Sequence, residues 1–287
     1  MRRIVVLGKG GIGKSTVTAN LAILSHRAGF RTLQIGCDPK HDSYLKHAAE
    51  GSVETVMTRF ARRGRMDGKE LDRLIVEGRT GVHVLETGGP EPGKGCAGRA
   101  ISITLDLLND YPALYERYDR VFYDVLGDVV CGGFAAPLRH SNMSDVVLVV
   151  SGEYMALYAA NNIARGLRNL ADLGGARLVG IVANRIHDER QAAVVEEFAA
   201  LLGTSVLGVI PFSLDVSRTD AYGTTVVEEG WDHDLAACYE HVFRAIEDLP
   251  ESARIIPTPM DERELRDLVF QARREGAHLS TVAGGKV

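Results

Sequence analysis

Basic charge is not in excess in this chain: its 287 residues carry 33 Lys and Arg against 38 Asp and Glu, a formal net charge of -5. That balance argues against a general electrostatic affinity for nucleic acid or for an anionic membrane surface, because either needs a basic excess. Apolar runs of spanning length are missing, so no transmembrane helix is expected. The first apolar run, Ile4 to Leu7, is four residues long and stops at glycine, too short for a secretory signal. The expected compartment is the cytoplasm. Cysteine is scarce as well. Cys37, Cys96, Cys131 and Cys238 stand far apart with no CxxC pair, which speaks against a zinc ribbon and against a secreted disulfide framework. There is no internal repeat and no low-complexity tract, and disorder is expected only at the end, in "HLSTVAGGKV".

With 45% hydrophobic and 25% charged residues the composition is that of an ordinary globular protein. Short β-branched runs ("RIVVL", "RTLQIG", "GVHVLE", "RVFYDV", "DVVLVV", "RLVGIVAN", "SVLGVIP") alternate with helical patterns, among them Ser15–Arg27, Leu157–Leu173 and two late ones near Leu235–Asp248 and Glu262–Arg273. The strands are nearly continuous apolar runs, the pattern of burial on both sides. The expected fold is therefore α/β, a single domain with a mostly parallel sheet flanked by helices on both faces, and the glycine-rich run Gly8–Ser15 that follows its first strand makes it a P-loop NTPase. The main domain should cover residues 1–250. The break at "PESARIIPTPMDE", with its prolines, reads as a connector to a C-terminal arm over 251–287. The one basic cluster, Arg59 to Lys69, reads as a solvated helix face and loop.

Residues Gly8 to Ser15, "GKGGIGKS", match G-x-x-x-x-G-K-[ST] between the first strand and the first helix, the context that gives the motif its meaning. Gly8, Gly10, Gly11 and Gly13 let successive N–H groups, Ile12 included, point at phosphate oxygens. The helix start adds positive partial charge, Lys14 reaches the terminal phosphates, and Ser15 can ligate Mg²⁺. Two acidic segments follow other strands: "CDPKHDS" from Cys37 and "DVLGD" from Asp124. Each places a carboxylate at the carboxyl end of a parallel strand, where ligands of open α/β sheets bind. Asp124 would meet the metal through water, Asp38 would orient or activate the attacking water, and Asp42 is a further candidate on the Mg²⁺ side.

Phosphate chemistry does not explain two cysteines. Cys131 lies in "VCGGF", three residues beyond Asp128, and Cys96 lies in "GGPEPGKGCAGR" after the "GVHVLE" strand. Glycines beside each thiol would let backbone N–H groups approach a sulfur-rich anion. A 4Fe-4S cluster normally takes four thiolates, and a symmetric dimer would supply two from each protomer. On spacing alone, a small buried thiol remains the other reading. Cys37 and Cys238 read as buried or semi-buried thiols.

Several segments bring in a resemblance. "GKGGIGKST", "GCDPKHDS", "GGPEPGKGCAGRA", "YDVLGDVVCGGFAAPL", "MALYAANNI" and "PMDERELRDL" resemble, in order and over almost the whole chain, those of the nitrogenase iron protein (dinitrogenase reductase) superfamily. The resemblance implies a homodimer with one bridging 4Fe-4S cluster and MgATP-dependent electron transfer to a separate catalytic protein, with ferredoxin or flavodoxin as donor. Carried over by position, Cys96 and Cys131 match the cluster ligands. Lys9, Lys14, Ser15 and Thr16 match the phosphate site, and Asp38, Asp42, Asp124 and Asp128 match the switch carboxylates. In that family a lysine placed like Lys9 reaches the nucleotide of the other subunit. Lys40, Asn184 and Pro211 complete the implied set of contacts to MgATP or MgADP, and Arg99 matches an arginine that some members have ADP-ribosylated.

Departures bear on the partner. His41 stands where nitrogen-fixing members usually carry alanine, and "PFSLDVSR" replaces their Arg-Asp pair and glutamine, which leaves the adenine-side roles of Phe212, Ser213 and Ser217 open. This divergence points to the reductase component of a nitrogenase-like enzyme, with a methylthio-alkane reductase-type partner favoured over dinitrogenase. The alternatives are a cluster-free P-loop ATPase of the partitioning or septum-positioning type, which shares "KGGxGKS", and an Fe-S carrier ATPase.

Overall fold

The first strand shows how the sheet is built. In β1 (Arg2–Gly8), Ile4 and Val6 enter one hydrophobic cluster while Val5 and Leu7 enter another on the opposite face. This is the period of two that alternating Cβ directions impose. Because both sets are apolar, β1 is satisfied only when helices cover both faces. The computed structural model describes residues 1–40, 42–48, 53–89, 97–127, 145–172 and 175–270, and within them that covering is complete.

Eight strands form one sheet in the order β3-β4-β2-β5-β1-β6-β7-β8. Their ranges are β2 Thr32–Cys37, β3 Val76–Glu77, β4 His83–Glu86, β5 Arg120–Val125, β6 Asp145–Val150, β7 Arg177–Ile186 and β8 Val206–Pro211. All pairings are parallel except β3 with β4. The expected mostly parallel α/β sheet is what forms. The antiparallel edge strand β3 was not expected, because two residues are too few to show a period.

Helix α1 (Lys14–Arg27) covers one face through Val17 and Leu21, beside the helix His233–Glu247 with Leu235, Tyr239 and Val242. The other face is covered by α4 (Ala97–Asp110), by the helix Tyr154–Asn169 and by the helix Glu189–Leu202. The helix expected over Leu157–Leu173 thus starts and ends earlier. Tyr123, Phe122 and Phe198 are fully enclosed, each stabilising the fold by about 1.5–3 kcal/mol. The basic run resolves into α2 (Val56–Arg63) and α3 (Gly68–Asp72), with Arg59 paired to Glu54 and Arg63 to Glu70. That is the solvated face read from the sequence.

After the helix His233–Glu247 the chain returns to the sheet. Ile255 and Leu178 exchange backbone hydrogen bonds at 3.0 Å each, and the buried Asn161 amide bonds both backbone groups of Met260, at 2.8 and 2.9 Å. Residues 262–270 are helical, with Leu265, Leu268 and Val269 buried against the Tyr154–Asn169 side. Among the described residues no helix is long and apolar enough to cross a membrane.

At the amino end of the sheet Asp145, nearly enclosed, accepts from Arg2 Nε at 2.5 Å and from Arg254 Nε at 2.6 Å. One carboxylate therefore ties β1, β6 and the returning segment together. Removing it leaves Arg2 and Arg254 with only the longer carboxylate contacts to Glu247 and Glu251, at 3.7 and 3.9 Å, so Asp145→Ala should cost about 3 kcal/mol. Urea unfolding of the two proteins checks this.

Candidate functional site

The turn from β1 into α1 is shaped by Gly13. It sits at φ +97°, and an added Cβ would lie 2.4 Å from Asn184 Nδ2, so a side chain is excluded both by conformation and by space. The first turn of α1 begins at Lys14, and a helix start, where the helix supplies no acceptor for its own N–H groups and carries positive partial charge, favours an anion. Lys14 is nearly buried and its Nζ donates to Lys9 O at 3.0 Å, closing over the loop.

Strand β7 supports the loop from the side. Asn184 Nδ2 donates to Ile12 O at 2.7 Å, and Arg185 donates to Gly11 O at 3.0 Å. Arg185 has φ 59°, the only non-glycine positive value among the described residues, a conformation worth about 1–3 kcal/mol of strain. Sequence reasoning singled out Asn184 and Pro211 by resemblance but missed Arg185, because nothing in a strand pattern signals a left-handed residue.

Two chambers meet at Gly11, Gly13 and Thr16. The first, about 270 Å³, is lined by the loop together with Asp38, Lys40, Asp42, Asp124 and the Val125–Gly127 exit of β5. The second, about 190 Å³, is lined by Asn184, Arg185, Pro211, Phe212, Ser213 and Ser217, among others. The three residues whose role the sequence left open thus line one chamber. Phe212 stacks on His187 with ring centroids 4.6 Å apart, and the Arg185 guanidinium lies 5.8 Å from the Phe212 ring. The Phe212 ring gives this chamber a planar apolar wall suited to a heteroaromatic base.

Asp124 is the acid at the centre of the first chamber. It is 3% exposed and its Oδ2 accepts from Ser43 Oγ at 2.7 Å. Burial pushes its carboxyl above the usual range, while the Ser43 and Ser15 hydroxyls and the Lys14 charge pull it down. A desolvated carboxylate beside a serine hydroxyl at the head of the loop is a donor set that fits Mg²⁺. Asp38 accepts the Lys40 N–H at 2.9 Å, and Asp42 is exposed at the rim. Ser43, unremarked in the sequence, is the residue that joins this loop to Asp124. Lys9 does not line this chamber; it lines a separate groove of about 550 Å³ with Met155, Tyr158 and Asn162.

Cys96, Cys131, Asp128 and His41 lie outside the described residues. What the structure shows is where their runs leave the sheet. Glu86, which ends β4, and Asp124, near the end of β5, both pair with Gly36 of β2 from opposite sides. The two cysteine-bearing runs therefore start from strands about 10 Å apart, two strand spacings, on the same edge as the P-loop. An ideal Cβ on Gly127 would lie 2.4 Å from Gly10 N, so the second run begins against the loop itself. Arg99 is exposed in the first turn of α4. Cys37 is enclosed, and burial first, then Asp124, Glu86 and Asp38, push its thiol well up, so it stays protonated and inert. Cys238 is half-buried.

A family model described as 4Fe-4S iron sulfur cluster binding proteins, NifH/frxC family, matches residues 2–274. Among solved structures, the chain is similar to the septum site-determining protein MinD complexed with Mg-ADP from Pyrococcus horikoshii, with a TM-score of 0.69, 19% identity, and coverage of 88% of this chain and 98% of that one. It is also similar to the MinD cell division protein of Aquifex aeolicus, with a TM-score of 0.66, 19% identity, and coverage of 87% and 98%. For the Cyanothece McdA(D38A)-ATP complex the values are 0.65, 17%, 86% and 96%. At such identities these likenesses show a common fold.

The burial of Asp124 makes a two-sided prediction. A carboxyl whose folded pKa is raised contributes stability below its unfolded pKa and loses it as pH rises through the folded one. At neutral pH, Asp124→Asn keeps an acceptor for Ser43 and removes that loss. The variant should unfold at higher denaturant than the wild type, yet bind MgATP at least about tenfold more weakly, ~1.4 kcal/mol. Chemical denaturation and calorimetric titration check the two halves.

Proposed function

Because the chain belongs to the NifH/frxC family of 4Fe-4S iron sulfur cluster binding proteins, within the nitrogenase iron protein superfamily, we propose that it is an ATP-dependent iron-sulfur reductase that delivers low-potential electrons to a nitrogenase-like catalytic component. The observation that carries this reading is the register of β4 and β5 about β2, which starts both cysteine-bearing runs beside the P-loop chamber.

In this reading the loop N–H groups, Lys14 and Thr16 bind the phosphates of MgATP or MgADP, Ser15 and Asp124 hold Mg²⁺, and Asp38 orients the attacking water. The base lies in the second chamber between Asn184, Pro211 and Phe212. Lys9, which faces the groove along Tyr154–Asn169 and not its own chamber, supports a homodimer in which it serves the partner's nucleotide. Cys96 and Cys131 of each protomer would hold one 4Fe-4S cluster, which supplies one-electron transfer when bound. Ser43 and Asp128 would pass the state of the γ-phosphate along the β5 exit. Moving such a two-state element from mostly one form to mostly the other takes about 5.5 kcal/mol of differential affinity, which contacts to a triphosphate and its metal supply. Ferredoxin or flavodoxin is the electron donor in this scheme.

The base-chamber residues Phe212 and Ser213, in place of an Arg-Asp pair, favour a partner of the methylthio-alkane reductase type over dinitrogenase. A cluster-free ATPase of the partitioning or septum-positioning type is the second reading, and the fold shared with MinD favours it.

Anaerobic purification separates the two. The first reading expects a brown dimer with a paramagnetic signal after reduction and iron that a chelator removes faster with MgATP. Cys96→Ser and Cys131→Ser should each abolish iron binding and leave nucleotide affinity within about threefold, ~0.7 kcal/mol. Colourless protein without iron after reconstitution would leave the cluster-free ATPase.

A further inference from the structure

Glu86 is a fully buried carboxyl that the reading above does not use. It ends β4, in register with Gly36 of β2, and Gly36 is in turn in register with Asp124 of β5. An ideal Cβ on Gly36 would lie 2.2 Å from Glu86 Oε2, 2.6 Å from Cδ and 2.7 Å from Oε1. The carboxyl therefore lies over the glycine backbone, in a slot that exists only because β2 has no side chain there. Its Oε1 accepts the Tyr44 N–H at 2.7 Å, while Oε2 has no hydrogen-bond partner among the described residues.

Ser43 and Tyr44 begin the short 3₁₀ turn Ser43–Lys46 that follows the acidic loop from Asp38. They hang from two carboxyls on opposite sides of Gly36: Ser43 Oγ from Asp124, the Tyr44 N–H from Glu86. The far end of the turn is held elsewhere. Arg79 donates to Lys46 O at 3.0 Å and to Ala48 O at 2.6 Å, and is itself paired with Glu228; Lys46 is paired with Asp220. A shift of Ser43 on Asp124 thus reaches Tyr44 and Glu86 before it is absorbed further on. Beyond Glu86 the chain stays in touch with the same loop, since a Cβ on Gly89 would lie 2.6 Å from Pro39 Cβ. Thr87 N–H meanwhile donates to Gly36 O at 2.9 Å.

We infer that Glu86 is a positioning residue that ties the nucleotide loop to β4, so that a change at Ser43–Tyr44 is passed to Thr87–Gly89 and on toward Cys96. This is a second route, separate from the one along Asp124 to Cys131, and it rests on the reading that nucleotide moves the acidic loop. Two routes give each cysteine-bearing run its own link to the chamber. Burial first, and then Asp124, Asp42 and Asp38, push the Glu86 carboxyl up to about 8, against the pull of the Tyr44 N–H. The neutral acid is therefore the main form near pH 7, and glutamine reproduces its charge and its acceptor.

Hydrogen–deuterium exchange on the full chain, with MgADP and with the ATP analogue MgAMPPNP, tests this without needing a loaded cluster. In the wild type, nucleotide should protect the P-loop peptide and alter exchange in peptides starting at Thr87. Glu86→Ala should keep the first response and lose the second. Gly36→Ala, which leaves the carboxyl in the chain but pushes it from its slot, should do the same, and Glu86→Gln should retain both. The inference is overturned if Glu86→Ala and Gly36→Ala keep the Thr87 response, if both unfold outright, or if Glu86→Gln is as defective as Glu86→Ala. A wild type with no P-loop protection would instead sink the nucleotide reading, and this inference with it.

Discussion

Parallel strand direction is the constraint from which the rest follows. When β1, β2, β4 and β5 run the same way, their carboxyl ends emerge on one edge, so the P-loop, the Asp38 loop and the runs toward Cys96 and Cys131 all start there. Residues separated by tens of positions become neighbours because hydrogen-bond register leaves them no other place. Gly36 is the clearest case. It is flanked by Asp124 on one side and Glu86 on the other, and its missing side chain lets a carboxyl lie over the sheet.

That edge is electrostatically costly. Asp124 and Glu86 are buried acids and Cys37 is a buried thiol beside them; burial pushes all three pKa values up, Asp124 adds to the rise at Glu86, and both acids add to the rise at Cys37. A chain selected for stability alone would not gather them. The cost is offset by the two apolar clusters that sandwich the sheet and by the ion pairs at the opposite end, around Asp145. The strained Arg185 backbone belongs to the same pattern, local strain at a site held in place by a rigid surround. An acidic, desolvated edge is also what a divalent cation and a polyphosphate with its own charge can reorganise. This is why the same residues serve as site and as switch in the proposed function.

Much of this was legible from residues in order. The two-sided apolar strands announced a doubly covered sheet, and "GKGGIGKS" between strand and helix announced the phosphate loop. Asp38 and Asp124 were singled out because each follows a parallel strand beside that loop, where ligands of open α/β sheets bind, and both line the first chamber. Other parts carried no one-dimensional signal. Ser43 is one serine among many until β5 brings Asp124 to it, and Glu86 reads as the polar end of a strand. Arg185 sits inside a β pattern, and its turned backbone falls where the pairing with β8 shifts register between Asn184 and Ile186. Phe212, Ser213 and Ser217 were left open because their role depends on which wall of the chamber they join. The start of the helix Tyr154–Asn169 was placed late because Tyr154 and Met155 break no period.

By itself, then, the sequence determined the class of fold, the phosphate loop and the family, since these rest on local periodicity, glycine placement and long runs of matching residues. Tertiary structure alone decided that Glu86 and Asp124 share one glycine, that Tyr44 and Ser43 hang from them, and that Lys9 faces a groove away from its own chamber. The physical reason is that such relations are set by strand register and by space left empty, and neither is a property of any one stretch of chain.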